Sequence, residues 1–445
     1  MSSASGESDT LQSDAHEGPD AVVTRYRRRN TGLLIGEAAA YMAGVAFFDS
    51  ATVYPVLLAR LGASDALVGM SRLIQTLGVT LPALFAAHRI HGRVYHKGFL
   101  VGGSALARAG LFTLPFALLL FGKERPDLAL AWVFGVTAVF WIFDGACLVS
   151  WLDIVGKIVP QRRRGRFFGA MQALAGLFAI GAGLIVHQIL RSSSLAYPGN
   201  FALLAGLWFI AAMVSQIGIM MIVEPAGDRT NIEPRVGFLD YIRMLGPFLR
   251  RYPRVLRLIL ARLLLEAGSM ATPFYVLYAQ RDLGASLQAV GFYTVALNAG
   301  RVASGPFWGW LTDRFGTSTT IRTIGFSIVA APMAALLCRG ETLWAMFAVF
   351  VILGSVGDGL WMAISNALLE SVEPKDRPFA VGVASVCQTP GALYGPMGGA
   401  LAEIGGYRVV FGCAATVISV GVLIARGLGP PIVPSSHDRV EREQR

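Results

Sequence analysis

Apolar residues run through this chain in long blocks, with most of the charge confined to the gaps between them. A bilayer's hydrocarbon core takes about 20 apolar residues per helix. Blocks of that kind are centred near Met42, Leu77, Ala109, Phe140, Leu177, Ile210, Gly268, Gly300, Ala330, Val356, Pro390 and Thr416. The pattern predicts an all-α membrane protein of twelve transmembrane helices. Their glycines would weaken helices in water, yet they suit close helix–helix approach in lipid. Residues 1–30 read as a disordered polar and basic tail, 31–223 as six helices, 224–253 as a connection, 254–427 as six more helices, and 428–445 as a second tail. Within the connection, Phe238, Leu239, Ile242, Leu245, Phe248 and Leu249 recur at helical spacing among arginines, which predicts an amphipathic helix on the membrane surface.

The two sets of six are copies of one another. LGASDALVG, from Leu61, returns as LGASLQAVG, from Leu283, between the first two blocks of each set. Deeper in, WIFDGACL matches SVGDGLWM and sets Asp144 and Gly145 over Asp358 and Gly359, with Pro160 over Pro374 at the same separation. Two phrases at nearly one offset predict pseudo-symmetric six-helix halves, and repeat-built helical membrane proteins are typically secondary transporters. In the LGAS phrase the Gly is placed to end one helix, and Ser64 or Ser286 to cap the next.

Composition agrees with the pattern. The chain has 54% hydrophobic and 15% charged residues, against roughly a quarter charged in soluble domains. The net charge of +10 does not read as nucleic-acid binding, because its arginines and lysines alternate between loops. Arg162, Arg163, Arg164 and Arg166 crowd one connection and Arg243, Arg250, Arg251, Arg254 and Arg257 another, whereas the intervening loops hold one or two basic residues. The positive-inside rule then predicts cytoplasmic N- and C-termini. No Asn-x-Ser/Thr sequon occurs, which leans towards a bacterial inner membrane. Cys147, Cys338, Cys387 and Cys413 each lie inside an apolar block, with no disulfide framework or metal-ligand spacing. No nucleophile motif, phosphate loop or cofactor motif is readable, so an enzyme is not expected.

After the eighth block comes GWLTDRFGTSTTIR. Gly309, Asp313, Arg314 and Gly316 fit G-x-x-x-D-R-x-G, which resembles the loop motif of the major facilitator superfamily; twelve helices in two halves with both ends inside resemble that family over nearly the whole chain. The resemblance implies a secondary active transporter that moves a small solute by alternating access, working as a monomer in the bilayer. A transporter-fold sensor or lipid translocator is the alternative. The matching loop of the first half departs from the motif, with His91 where the second half has Asp313. GALYGPMGG in the eleventh block resembles the family's antiporter motif, but it is one residue short and lies in block eleven instead of five.

In the family, each such loop packs on the start of a helix in the opposite half. Asp313 would therefore meet Arg163 and Arg166, and the basic loop around His91 would meet Asp376. These pairs are expected to hold the cytoplasmic side shut in an outward-facing state.

Charges at membrane depth need partners, water or protons. The candidates for substrate binding and proton coupling are Asp49, Asp144, Glu266 and Asp358, on the first, fourth, seventh and tenth blocks, which commonly line the family's central cavity. Arg72, Arg108 and Arg301 join them, with Trp141 one turn before Asp144 and Trp361 one turn after Asp358. Burial and a nearby arginine push a carboxylate's proton affinity in opposite directions, which makes Asp144 and Asp358 the preferred proton carriers; static ion pairs with the arginines are the other reading. Arg262 and Glu266 are spaced for a structural pair, Pro273 for a kink, and Glu37 and His187 are expected near span ends. Aromatics beside carboxylates suit cationic or sugar-like solutes, whereas Arg108 and Arg301 suit an organic anion.

Overall fold

A computed structural model describes residues 19–90, 94–226, 238–340 and 344–429. Every regular element among them is a helix. Seven helices are long and apolar enough to cross a membrane: Lys97–Phe121, Pro126–Ile158, Gln161–Arg191, Gly199–Met221, Thr317–Leu337, Ala345–Glu370 and Phe379–Arg426. The last of these joins the eleventh and twelfth blocks through Gly406, whose φ of 75° turns the chain. The first, second, seventh and eighth blocks are also helical but carry breaks or charges, which dilute their apolar character.

Two of those breaks occupy matching places in the repeat. The first span runs as Pro19–Phe47 and resumes as Val53–Arg60. Asp49 shapes the gap: its Oδ1 accepts the backbone N–H of Ala51 at 2.8 Å and the Thr52 hydroxyl at 3.4 Å. A short acidic side chain that bonds the backbone just ahead competes with the helical ladder and opens it. The seventh span runs as Pro253–Leu265, tightens into a 3-10 turn over Glu266–Met270, and restarts as Phe274–Arg281 just after Pro273. Broken backbone at membrane depth is tolerated where it lines a cavity, and both gaps do so.

The opening phrase of each half turns as its sequence predicts. Gly62 and Gly284 hold φ of 84° and 75°, a left-handed conformation that favours glycine. Ser64 Oγ accepts the N–H of Leu67 at 3.4 Å and so caps Asp65–Ile90; at Ser286 the backbone carbonyl, instead of the side chain, accepts the N–H of Ala289.

Helix packing repeats between the halves. The fourth span packs on the second and third as the tenth packs on the eighth and ninth. The halves meet where the fifth span packs on the eighth and the second on the eleventh. One buried cluster runs through both halves, including Leu57, Val68, Tyr275 and Phe411. Towards the opposite end the core divides. Ile154, Ile158 and Phe167 belong to a cluster within the first half, and Val255, Val372 and Val383 to one within the second. The halves therefore share a core at the Gly62–Gly284 end and part at the end bearing Asp313. Large apolar side chains such as Leu120 (67% exposed) and Leu337 (76%) point outward, a surface that lipid covers and water would not.

Three boundaries differ from the sequence reading or extend past the described residues. Helix begins at Pro19, within the predicted tail of 1–30. Asn30 is buried there and exchanges hydrogen bonds with Val223, which ties the helix to the end of the sixth span. In the connection, Phe238–Arg251 is helical as expected, and Phe248 packs edge-to-face on Phe379 of the second half; 227–237 lie outside the described residues. Residues 430–445 of the second tail lie outside them too.

Candidate functional site in the central cavity

A cavity of about 290 Å³ lies where the two broken spans face one another. Asp49, Ser50, Ala51 and Arg72 of the first half line it, with Arg262, Glu266, Ser269, Thr272, Arg301 and Trp361 of the second. Five of the predicted site residues thus converge on one space: Asp49, Arg72, Glu266, Arg301 and Trp361. Asp358 adjoins it through Arg301, whose Nε lies 3.5 Å from Asp358 Oδ2, while Nη1 of Arg301 donates to Asn298 at 3.2 Å. Asp358 is well exposed, with 56% of its side chain accessible. Arg262 and Glu266 form the expected pair, 2.9 Å between Nε and Oε1. Arg72 donates to Gln75 and, at 3.4 Å, to Ser50.

Asp144 and Arg108 lie elsewhere, inside the bundle of the first half. Asp144 accepts the hydroxyl of Tyr41 at 2.8 Å. Arg108, only 4% exposed, is pinned by three bonds: Nε to the Ala212 carbonyl at 2.7 Å, Nη1 to the Ser104 carbonyl at 3.0 Å, and Nη2 to Ser215 Oγ at 3.0 Å. Ser215 passes the contact on by donating to Glu37 Oε2 at 3.0 Å, and Trp151 donates to the other oxygen of Glu37. Glu37 is linked to this guanidinium through Ser215, and Asp144 and Tyr41 lie near enough to feel its charge. Trp141 faces neither group of charges. With Phe48, Tyr54 and Trp208 it borders a recess of about 10 Å³ beside Ser50, room for about one water.

Glu37 corrects the sequence reading. Expected near a span end, it is 6% exposed and part of the buried network. The signal was present, since Glu37 and Tyr41 are one helical turn apart, but no pattern within one helix reveals a partner on the sixth span. His187, also expected near an end, is buried at the seam between halves, with Nδ1 2.9 Å from the Gln288 carbonyl and its ring 3.9 Å from that of Phe292.

The seam closes one end of the cavity. Arg281 Nη1 lies 2.9 Å from Asp65 Oδ1, which also accepts the Tyr407 hydroxyl at 3.1 Å. Glu403 accepts the N–H of Ala66 at 3.0 Å, and the hydroxyls of Thr52 and Thr294 are 2.7 Å apart. Small residues let the backbones touch: a side chain at Gly69 would strike the carbonyl of Gly395. At the other end, Asp313, Arg314, Arg163 and Arg166 are exposed, and among the described residues no ion pair joins Asp313 to the arginines. Asp376 accepts a hydrogen bond from Tyr252, within its own half. Gly316 turns the chain at φ 79° between the eighth and ninth spans, while Gly309 faces open space. His91 lies outside the described residues. Nearby, His96, Asp153 and Glu224 gather at metal-ligand spacing, but the ammonium of Lys157 lies 2.7 Å from each carboxylate and takes the cation's place.

The arrangement is two helical bodies packed about a charged cavity, and known proteins resemble it. The Major Facilitator Superfamily model matches residues 258–444. An uncharacterized MFS-type transporter of Mycobacterium tuberculosis is 26% identical over 327 residues, 72% of this chain and 50% of that protein. Residues 258–444 thus resemble the major facilitator superfamily.

The chain spans about half the length of its mycobacterial relative. Solved structures share the superfamily's fold: the nucleoside transporter NupG superposes with a TM-score of 0.69 over 90% of this chain and 100% of its own, at 13% identity. A D-xylose-proton symporter superposes with a TM-score of 0.64 over 92% and 98%, at 14% identity. In this fold the loop containing Asp313 stands at the open end and the doubled LGAS turns at the closed one.

Proposed function

We propose that this chain moves a small solute across a membrane by alternating access, coupled to protons. The observation that carries this reading is the charged cavity between two broken spans, shut at one end by cross-half contacts and open between two separate cores at the other. Basic loops put the open end on the cytoplasmic side, with both termini, in a bacterial inner membrane; the cavity then faces inward. When the halves rock, Asp313 is to meet Arg163 and Arg166, and the loop around His91 to meet Asp376, closing the end now open.

Coupling follows from a charge count. Glu37 and Asp144 both lie in the field of one guanidinium, that of Arg108, and ions are costly in apolar surroundings. Two carboxylates against one cation leave one negative charge over, and a single proton removes it. We place the coupling proton on this pair, with Tyr41 as the hydroxyl in contact with Asp144, and place Arg301 and Asp358 on the substrate side.

Proteoliposomes test the proposal. An imposed pH gradient is expected to drive flux of at least one member of a panel of sugars, organic acids, amino acids and cations. Asp144→Asn is expected to leave the gradient without effect, while Asp358→Asn keeps gradient sensitivity and raises KM. Flux that ignores both the gradient and Asp144→Asn rejects the coupling; no flux of any panel member favours the sensor or lipid translocator.

A further inference from the structure

The charges around the cavity balance in number, three arginines against Asp49, Glu266 and Asp358, but not all of them are paired. Asp49 Oδ1 is held by Ala51 and Thr52, Glu266 is paired with Arg262, and Asp358 lies beside Arg301. Arg72 differs. Its protein partners are the neutral oxygens of Gln75 and Ser50, and among the described residues no carboxylate lies within ion-pair distance. Nε is buried without a partner, and Nη2 makes no hydrogen bond among the described residues. Asp49 and Glu266 lie near enough to feel its charge, but a guanidinium has five N–H donors and no means of shedding its charge, and the donors on Nε and Nη2 have no acceptor among the described residues.

The repeat argues against a purely structural role. Counting from the paired LGAS phrases, Arg72 falls over Thr294, a buried residue bonded to Thr52. The second half packs its equivalent helix without an arginine at that position. Gln75 and Ser50 fix Nη1, which leaves Nη2 without a hydrogen bond on a residue that lines the cavity. A cavity of about 290 Å³ is at the small end of ligand sites.

We infer that Arg72 is an anion subsite, and that the solute held in this cavity carries a carboxylate or comparable oxyanion that docks on its guanidinium. The inference rests on the transport reading only for the step after binding. Arg108, a sequence-level candidate for the same task, is excluded by its three internal bonds.

Binding tests the subsite directly. Purified full-length protein in phosphatidylethanolamine–phosphatidylglycerol nanodiscs is unfolded thermally with lactate, benzoate or inorganic phosphate, each beside lactamide, benzamide, glucose or choline. At least one anion is expected to raise Tm, since a ligand that binds the folded state stabilises it by mass action. Arg72→Gln is expected to weaken that anion's binding by about tenfold or more, as loss of a charge-assisted pair does, and Arg72→Lys to keep part of it. Gln75→Glu serves if Arg72→Gln fails to fold: it retains the arginine and supplies a competing carboxylate, so the anion response is expected to vanish. Arg125→Gln, at the exposed pair with Asp127, is expected to change nothing.

The subsite is overturned if the anions stabilise Arg72→Gln or Gln75→Glu as much as wild type. It is equally overturned if only the uncharged or cationic solutes shift wild type, or if no anion does. Flux in proteoliposomes separates this from the transport reading. Anion binding without flux keeps the subsite and sinks transport; flux of a neutral solute unaffected by Arg72→Gln keeps transport and sinks the subsite.

Discussion

Asp144 and Asp358 occupy the same place in two copies of one phrase, yet they live in different surroundings. Asp144 lies inside the first half beside Tyr41 and the thrice-bonded Arg108. Asp358 stands exposed beside the cavity, 3.5 Å from an arginine that is itself partly open. Gly145 and Gly359, one residue on, behave alike: each presses against the neighbouring span, Gly145 on Val79 and Gly359 on Trp308. The repeat thus preserves how helices approach and leaves the polar partners free to diverge. A shared glycine speaks for shared packing, whereas a shared carboxylate does not imply a shared task.

The sharpest way to break this contrast is to remove each arginine. Arg108→Met leaves Glu37 and Asp144 buried without a cation and is expected to cost about 3–5 kcal/mol. Arg301→Met beside exposed Asp358 is expected to cost less than about 1 kcal/mol. Equilibrium unfolding in mixed micelles reads both; equal losses would erase the distinction between a sealed and an open site.

A smaller effect concerns the two glycines. A methyl group at Gly145 meets the backbone of Gly78 and Val79, which cannot step aside, whereas at Gly359 it meets the ring of Trp308. Gly145→Ala is expected to cost about 1–3 kcal/mol and Gly359→Ala less, in line with overpacking where a neighbour can or cannot yield. The same unfolding assay orders them, and the reverse order would refute the assignment.

The smallest effect is at the seam. Asp65→Asn removes the charge facing Arg281 and Tyr407, worth about 1 kcal/mol for a partly exposed pair. The population should move several-fold towards the state open at that end. Alkylation of a cysteine at position 50 from that side is then expected to speed up, and cross-linking between cysteines at 313 and 163 to rise. Neither change would mean that the seam does not hold the closed end.

Much of this was legible in the sequence because lipid imposes simple rules. Apolar block length and the doubled phrases were enough for an all-helical, two-half architecture, and Pro273 marked the break in the seventh span. The convergence of Asp49, Arg72, Glu266 and Arg301 followed from their depth and their spans. Direction around a helix axis was not legible. Arg108 and Asp144 are at membrane depth but turn inward within one half, and Glu37 joins them through Ser215, on a span more than a hundred residues away. Depth is a property of one helix; facing is a property of the bundle.

The division of the core has a consequence for the stability of the molecule. Each half keeps a private cluster of buried side chains at one end, and only the shared cluster joins them at the other. Loosening a private cluster frays a half, whereas parting the shared one separates two bodies that each remain packed. Under the proposed alternating access, the seam is the portion of the interior to be taken apart and rebuilt while the chain stays folded, and the glycines along it set how little has to be undone.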